Sequence, residues 1–472
     1  MDREKLDRAF NPRCVAVVGD KMGNGYVWLR SMSAFRGKVY SVQVDPLELP
    51  GIERLGIENH LSLLEVTEPV DYVVIAVPRS VVPRIVSDCI TKRVGGATIF
   101  TSGFSETNTK EGRDLENVLV QMANEAGFNI VGPNCMGIFN PKIGLRHDVN
   151  QYHGESGPVG FISQSGTHAI LFSLVGARNG IKISKSVSYG NGAVLDSTDY
   201  LEYLAQDEET RIIGMYMEGV KQGERFFRCL RETARKKPVL VWKGGKAEEG
   251  YRAISCHTGS MASSPRVWRS MIKQCGAIEV ENLDEMIDCV KALLYLKAPF
   301  GSSVGLVAQS GGQSVVIADA FAQAGLIAPM LSESAYKEFA SFFNTIGGNY
   351  LNPLDISWHA PSIDDSIRIL NILSTDQNID SLVMELSLPF LSQIWDYYPS
   401  YVDTLVEAVG DFKARCPKAF MVVISSGQLE VEAMEIRSKL ISKGVPSFPN
   451  FDRAAKTLRR VLEYHRFHRD GD

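Results

Sequence analysis

The chain has 472 residues, 44% hydrophobic and 22% charged, with a formal net charge of −5. This is ordinary globular usage with room for two or three domains, and it excludes a disordered or collagen-like chain and gives no support to a nucleic-acid or membrane-surface partner. No run of about 18 apolar residues offers a spanning helix, and the opening MDREKLDRAF lacks the apolar core of a signal peptide.

In chain order, a short apolar run, a turn and an amphipathic helix recur. CVAVVG (14–19), VDYVVIAVP (70–78), GATIFTSGF (96–104) and FNIVGPN (128–134) are β-branched runs with no polar face, as buried parallel strands require. Helical segments such as 80–93 and 110–127 follow them, so the fold class is α/β with a parallel sheet. The turn-rich stretch NPKIGLRHDVNQYHGESGP closes a first domain near residue 150. A second domain is expected over 151–298 and a third over 299–472, entered by KAPFGSS. Eight cysteines are scattered without a CxxC pair, which fits reduced thiols in a cytoplasmic protein. His465 and His468, in the terminal helix, have a metal-ligand spacing but read as a solvated helix end, and no metal is expected.

The second and third domains are copies of each other. VGFISQSGTHAI (159–170) matches VGLVAQSGGQSV (304–315), with Gln164, Ser165 and Gly166 on Gln309, Ser310 and Gly311. Aligning IIGMYMEG (212–219) with IDSLVMEL (379–386) places Glu218 on Glu385. After PVLVWKGG (238–245) the first copy runs through a polar stretch holding Cys256, His257, Thr258, Gly259 and Ser260. After AFMVVISSG (419–427) the second passes directly into a Glu-rich helix. A shared scaffold supplies packing, so chemistry is sought where the copies differ.

Four places carry candidate chemistry. VAVVGDKMGNG (15–25) has the strand–glycine–helix shape of a nucleotide-binding first turn, but without the G-x-G-x-x-G spacing this is a weak signal, and a turn chosen for compactness reads better. Ser163-Gln164-Ser165-Gly166-Thr167 lies between a strand and a helix, which makes either an anion site or an ordinary serine cap. Glu218 ends an apolar strand, where side chains face the ligand crevice of a parallel sheet, and a carboxylate there can orient a histidine. His257 stands among hydroxyls and glycine, as a phosphate-handling loop requires, with Lys243 and Lys246 upstream to offset charge. Cys256 is a competing nucleophile without an evident activating base.

Together these motifs resemble the α subunit of NDP-forming acyl-CoA synthetases, relatives of succinyl-CoA ligase, over nearly the whole chain. The family's SQSG turn is Ser163 to Gly166, and its VSxGN…DxLEYL stretch is VSYGNGAVLDSTDYLEYL (187–204). Its strand-end glutamate is Glu218. Its SHTGS loop is Cys256 to Ser260 with cysteine first, its GPNCxGxxN is at 132–140, and its NPxD is Asn352 to Asp355. The resemblance implies a Rossmann-like CoA-binding domain and two flavodoxin-like ligase domains. It implies that His257 carries a phosphoryl group, that Glu218 assists it, and that Ser163, Ser165, Gly166, Thr167, Asn191, Thr258, Gly259 and Ser260 hold phosphate. Gly19, Lys21, Val77, Pro78, Ser102, Gly103, Asn134 and Cys135 would contact CoA. A small carboxylic acid, Mg and ADP or ATP complete the set, the nucleotide on an ATP-grasp β-type subunit, so a hetero-oligomer is expected. Two departures bear on CoA: Gly19-Asp20-Lys21 replaces the family's G-A-S turn, and Leu47 stands where a lysine is usual. The carboxylate and the lost lysine both disfavour a nucleotide phosphate, so CoA binding would be weakened, rearranged or taken over by Lys21, Arg79 or Arg84. A CoA-binding regulatory or scaffold protein without turnover is the other function compatible with these residues.

Overall fold

The computed structural model describes residues 2–250, 265–395 and 397–470. Three sheets, each framed by helices, make up the described chain, so the α/β expectation is borne out. The first contains β1 (Cys14–Val18), β2 (Lys38–Val42), β3 (Glu58–His60), β4 (Tyr72–Ile75), β5 (Gly96–Ile99) and β6 (Ile130–Val131), all parallel. Its order, β3-β2-β1-β4-β5-β6, is that of a dinucleotide-binding sheet. Every residue of β1, β4 and β5 is buried, which is why these strands read as unbroken apolar runs.

The second sheet comprises β7 (Gly137–Phe139), β8 (Val159–Ser163), β9 (Ile183–Ser188), β10 (Ile212–Met217), β11 (Val239–Lys243) and β12 (Ile278–Val280), in the order β12-β11-β10-β8-β9-β7. The edge strand β7 runs antiparallel to β9, while the others are parallel. The third sheet, β13 (Val304–Ala308), β14 (Leu354–Asp355), β15 (Ser381–Ser387), β16 (Ala419–Ser425) and β17 (Ser447–Phe448), is ordered β14-β13-β15-β16-β17. Leaving out β7, the second and third sheets share one flavodoxin-like winding, as the sequence repeat requires.

The chain divides into two compact units. One takes in the residues up to Ala177 together with Ile181–Leu283, and the other Arg178–Gly180 with Asp284–Asp472. In the first unit one apolar cluster runs from Leu6 to Cys275 and draws on both sheets, and a second packs around Ile75, Ile99 and Leu119 of the first. Phe10, on the first helix (Arg3–Phe10), stacks on Tyr203 of the helix Ser197–Ala205 at 4.5 Å between ring centres, and the Tyr203 hydroxyl donates to Asp7 at 2.8 Å. Burying a ring of this size stabilises by about 1.5–3 kcal/mol. That packing joins a helix at the amino edge of the first sheet to a helix of the second. The second unit buries its own core around Phe339, Leu382, Phe412 and Phe420. Among the described residues, no helix is long and apolar enough to cross a membrane.

Candidate functional site

Strand β8 ends at Ser163, and the chain turns through Gln164 and Ser165 into the helix Gly166–Arg178. The Ser165 Oγ accepts from the His168 N–H at 3.3 Å, the bond of a capping serine. Ser163 is fully buried. Its Oγ donates to the Ser165 carbonyl at 2.6 Å and accepts from the Ser165 N–H at 3.2 Å, so this hydroxyl fixes the turn from inside. Gly166 packs on Met136, where a Cβ would lie 2.6 Å from the Met136 Cγ. Thr167 is exposed at the head of the helix. A 13-residue helix presents its positive end here.

Glu218 follows β10, beside that turn, and is 6% exposed. Gln164 ties the two strand ends together: its Oε1 accepts from the Glu218 N–H at 2.8 Å and its own N–H donates to the Tyr216 carbonyl at 3.0 Å. Tyr216 donates its hydroxyl to Glu218 Oε1 at 3.2 Å. Burial pushes the Tyr216 phenol well up, so it remains a donor to the carboxylate. The buried Lys243 ammonium donates to the Glu218 carbonyl at 2.8 Å and the Gly244 carbonyl at 2.5 Å, and burial pushes it down. Lys246 instead pairs with Glu279 at 3.1 Å and Glu281 at 2.8 Å. The ring of His168 packs against Tyr216 and Trp242, each at 4.4 Å between ring centres. Desolvation pushes its imidazole down and favours the neutral form. An aromatic cluster thus stands beside the carboxylate at the strand end. Tyr216 is a site residue that the sequence motifs do not include, although it shares a strand face with Glu218 two residues on, a period-two signal. His257, Thr258, Gly259 and Ser260, with Cys256, lie outside the described residues.

The strand registers correct the repeat alignment. β10 pairs Ile212 with Val159, and β15 pairs Ser381 with Val304. Val159 and Val304 are repeat mates, so Ser381 corresponds to Ile212, Glu385 to Tyr216 and Ser387 to Glu218. The side-chain amides agree: Gln309 Oε1 accepts from the Ser387 N–H at 2.7 Å, as Gln164 does from Glu218. A slip of two residues keeps the same side chains facing the same way, so hydrophobic patterning cannot detect it. Glu385 is fully buried, accepts from the Gln309 N–H at 3.0 Å and the Ser425 hydroxyl at 2.7 Å, and has its carboxyl pushed up by burial. It is a packed residue within the sheet, and it gives no reason to read Glu218 as structural.

The first sheet gathers the residues expected to contact CoA at its carboxyl edge. Gly19 (φ +85) follows β1, and a Cβ there would lie 2.5 Å from the Val77 Cγ1, so the residue serves close packing. Val77 and Pro78 follow β4, Ser102 and Gly103 follow β5, and Asn134 and Cys135 follow β6. Thr101 Oγ1 donates to the Val77 carbonyl at 2.6 Å, and the Asn134 N–H donates to the Thr101 carbonyl at 3.1 Å. Cys135 is buried, with its thiol directed at the Val131 carbonyl at 3.5 Å, and burial pushes it well up, which removes it as a nucleophile. Arg79 donates to the Gly103 carbonyl at 2.8 Å and pairs with Glu111 at 2.8 Å.

Asn191 bridges the two sheets. Its Nδ2 donates to Glu106 Oε2 at 2.6 Å and Glu116 Oε2 at 2.9 Å, so the side chain is engaged by carboxylates that the sequence did not flag. The Asn191 N–H donates to the Pro133 carbonyl at 3.0 Å. Next to it, Gly190 has φ +52, and a Cβ there would sit 2.1 Å from the Asn134 carbonyl oxygen. Gly190→Ala is therefore expected to destabilise the chain by about 2–3 kcal/mol, through backbone overlap and a left-handed alanine. Urea unfolding checks this, and a midpoint equal to wild type would contradict the close approach.

Family models match in two places. A CoA-binding domain covers residues 13–141, and a succinyl-CoA ligase-like flavodoxin domain covers 156–293. The chain is 37% identical over 462 residues, 97% of its length, to an ADP-forming acetate–CoA ligase I of Archaeoglobus fulgidus, and it spans 64% of that relative's length. It is 32% identical to the α subunit of ADP-forming acetate–CoA ligase II of Pyrococcus furiosus, covering 94% of each chain. A solved structure of the dinucleotide-forming acetyl-coenzyme A synthetase 1 of Ca. Korarchaeum cryptofilum, in complex with phosphate and ADP, superposes with a TM-score of 0.83 at 29% identity. It covers 98% of this chain and 97% of that one.

Proposed function

The chain belongs to the ADP-forming acetate–CoA ligase family, and from that premise we propose that it is the α-type part of an acyl-CoA synthetase, an acid–thiol ligase. It interconverts acyl-CoA, phosphate and ADP with a carboxylic acid, CoA and ATP. Phosphate attacks the thioester carbonyl, the C–S bond breaks, and acyl phosphate and CoA thiol leave the reacting centre. The imidazole of His257 then attacks the phosphorus of acyl phosphate and releases the carboxylate. Phosphohistidine passes its phosphoryl group to ADP on an ATP-grasp β-type subunit, where Mg is also held.

The observation that carries this reading is Glu218. It is buried at the carboxyl end of β10, with its backbone clamped by Gln164 and its carboxylate by Tyr216, beside the head of the helix Gly166–Arg178. A carboxylate so placed holds an incoming imidazole in one tautomer and raises the basicity of its far nitrogen. The helix head and the N–H groups at Gly166 and Thr167 offset phosphoryl charge, and Thr258, Gly259 and Ser260 add donors from the loop. Ser163 and Asn191 then act through the backbone turns they hold. The divisions 1–150, 151–298 and 299–472 correspond to CoA binding, phosphoryl carriage and a second ligase domain.

Relatives named as α subunits support placing the nucleotide on another chain within a hetero-oligomer. The test is acyl-CoA formation from Mg-ATP, CoA and a panel of short acids, with and without a co-expressed ATP-grasp subunit. Turnover is expected only with both chains present. A bound partner that still gives no acyl-CoA would move the function to a CoA-binding scaffold.

A further inference from the structure

We propose that the first turn of the first sheet carries its own anion, and that Asp20 and Glu48 thereby keep the nucleotide half of CoA out of the diphosphate position. This rests on the reading of CoA as a substrate.

In a sheet of this order the loop after β1 and the head of the following helix offer their N–H groups to a ligand diphosphate. Here those groups are already engaged by carboxylates. Asp20 is 1% exposed. Its Oδ2 accepts from the Trp28 N–H at 3.0 Å and the Leu29 N–H at 2.9 Å, and its Oδ1 accepts from the Lys21 N–H at 3.0 Å. Glu48 Oε2, from the loop after β2, accepts from the Met22 N–H at 2.7 Å and the Tyr26 hydroxyl at 2.6 Å. The N–H groups of Asn24, Gly25 and Tyr26 donate to the carbonyls of Lys21, Met22 and Lys21.

A diphosphate entering this turn would find the N–H groups of Lys21, Met22, Asn24, Gly25, Tyr26, Trp28 and Leu29 engaged and meet two carboxylates. Lys21 is the one cation among residues 19–29. Leu47, 83% exposed, adds no charge next to Glu48. Arg79, across the edge, is paired with Glu111. The affinity for CoA therefore comes from its uncharged pantetheine arm and thiol, with the nucleotide half lying outside the turn.

The experiment is calorimetric titration of the full chain with CoA, with pantetheine and with 3′-phospho-ADP, the nucleotide half. Wild type is expected to bind CoA and pantetheine within about threefold of each other. Asp20→Ser is expected to bind 3′-phospho-ADP at least tenfold more tightly than wild type. Where loss of the buried cap prevents Asp20→Ser from folding, Glu48→Gln removes the second charge from a half-exposed position and is expected to gain at least threefold. A wild-type preference for CoA over pantetheine above a hundredfold would overturn the proposal, as would folded variants with no gain for 3′-phospho-ADP. If wild type binds neither CoA nor pantetheine while Asp20→Ser gains 3′-phospho-ADP, the closed turn stands and the CoA reading falls.

Discussion

Replacing His257 by alanine is expected to lower overall turnover by about 10⁴-fold or more, the scale seen when a covalent nucleophile is removed. The imidazole is the only group in the proposed sequence that bonds to the phosphoryl group between acyl phosphate and ADP. Without it, acyl phosphate still forms from acyl-CoA and phosphate, because that half-reaction uses the thioester and the phosphate site alone. The split is diagnostic: release of CoA thiol on adding phosphate to acyl-CoA persists in His257→Ala, while ATP formation with the β-type subunit is lost. The polar sequence around His257 has no apolar periodicity to pack, so the thermal midpoint should match wild type. Full ATP formation by the variant would remove His257 from the mechanism.

The second large effect is expected at Glu218. Glu218→Gln keeps the shape of the side chain and an oxygen for the Tyr216 hydroxyl, but removes the charge that in the proposed mechanism orients and polarises the imidazole. Positioned acid–base partners contribute about 10²–10⁴-fold, and phosphorylation of His257 should slow by that range. Single-turnover phosphoryl transfer from acyl phosphate measures it directly. The corresponding residue of the other repeat is Ser387, so no carboxylate stands at this place in the third sheet. A rate unchanged in Glu218→Gln would reassign Glu218 to holding the strand end.

Much of the fold was legible in the sequence, for a physical reason. Strands buried on both faces must be continuously apolar, so 14–19 and 96–104 declared themselves, and the repeat of VGFISQSG in VGLVAQSG announced two similar sheets. The alignment of Glu218 with Glu385 failed because the strand period is two, and a two-residue slip leaves every buried side chain buried. Only the pairings of Ile212 with Val159 and Ser381 with Val304 resolve it. In the candidate site, the strand-end carboxylate was legible from its position after an apolar run. The clamp by Gln164 was not: the repeat keeps Gln164 and Gln309 at one position, but the strand ends they reach, 54 and 78 residues on, leave no linear signature. The first turn shows the same limit. Asp20 was visible as a charge that disfavours phosphate, but its bonds to the N–H groups of Trp28 and Leu29, and the arrival of Glu48 from the next loop, exist only in three dimensions.

The central claim is that His257 carries the phosphoryl group. Its most direct test is intact-protein and peptide mass spectrometry at alkaline pH, after incubating the chain with Mg-ATP and a co-expressed ATP-grasp subunit. An acid-labile phosphoryl group on the peptide containing His257, discharged by a carboxylic acid plus CoA, is the predicted result. With the partner shown to be bound, the absence of any such group would contradict the account.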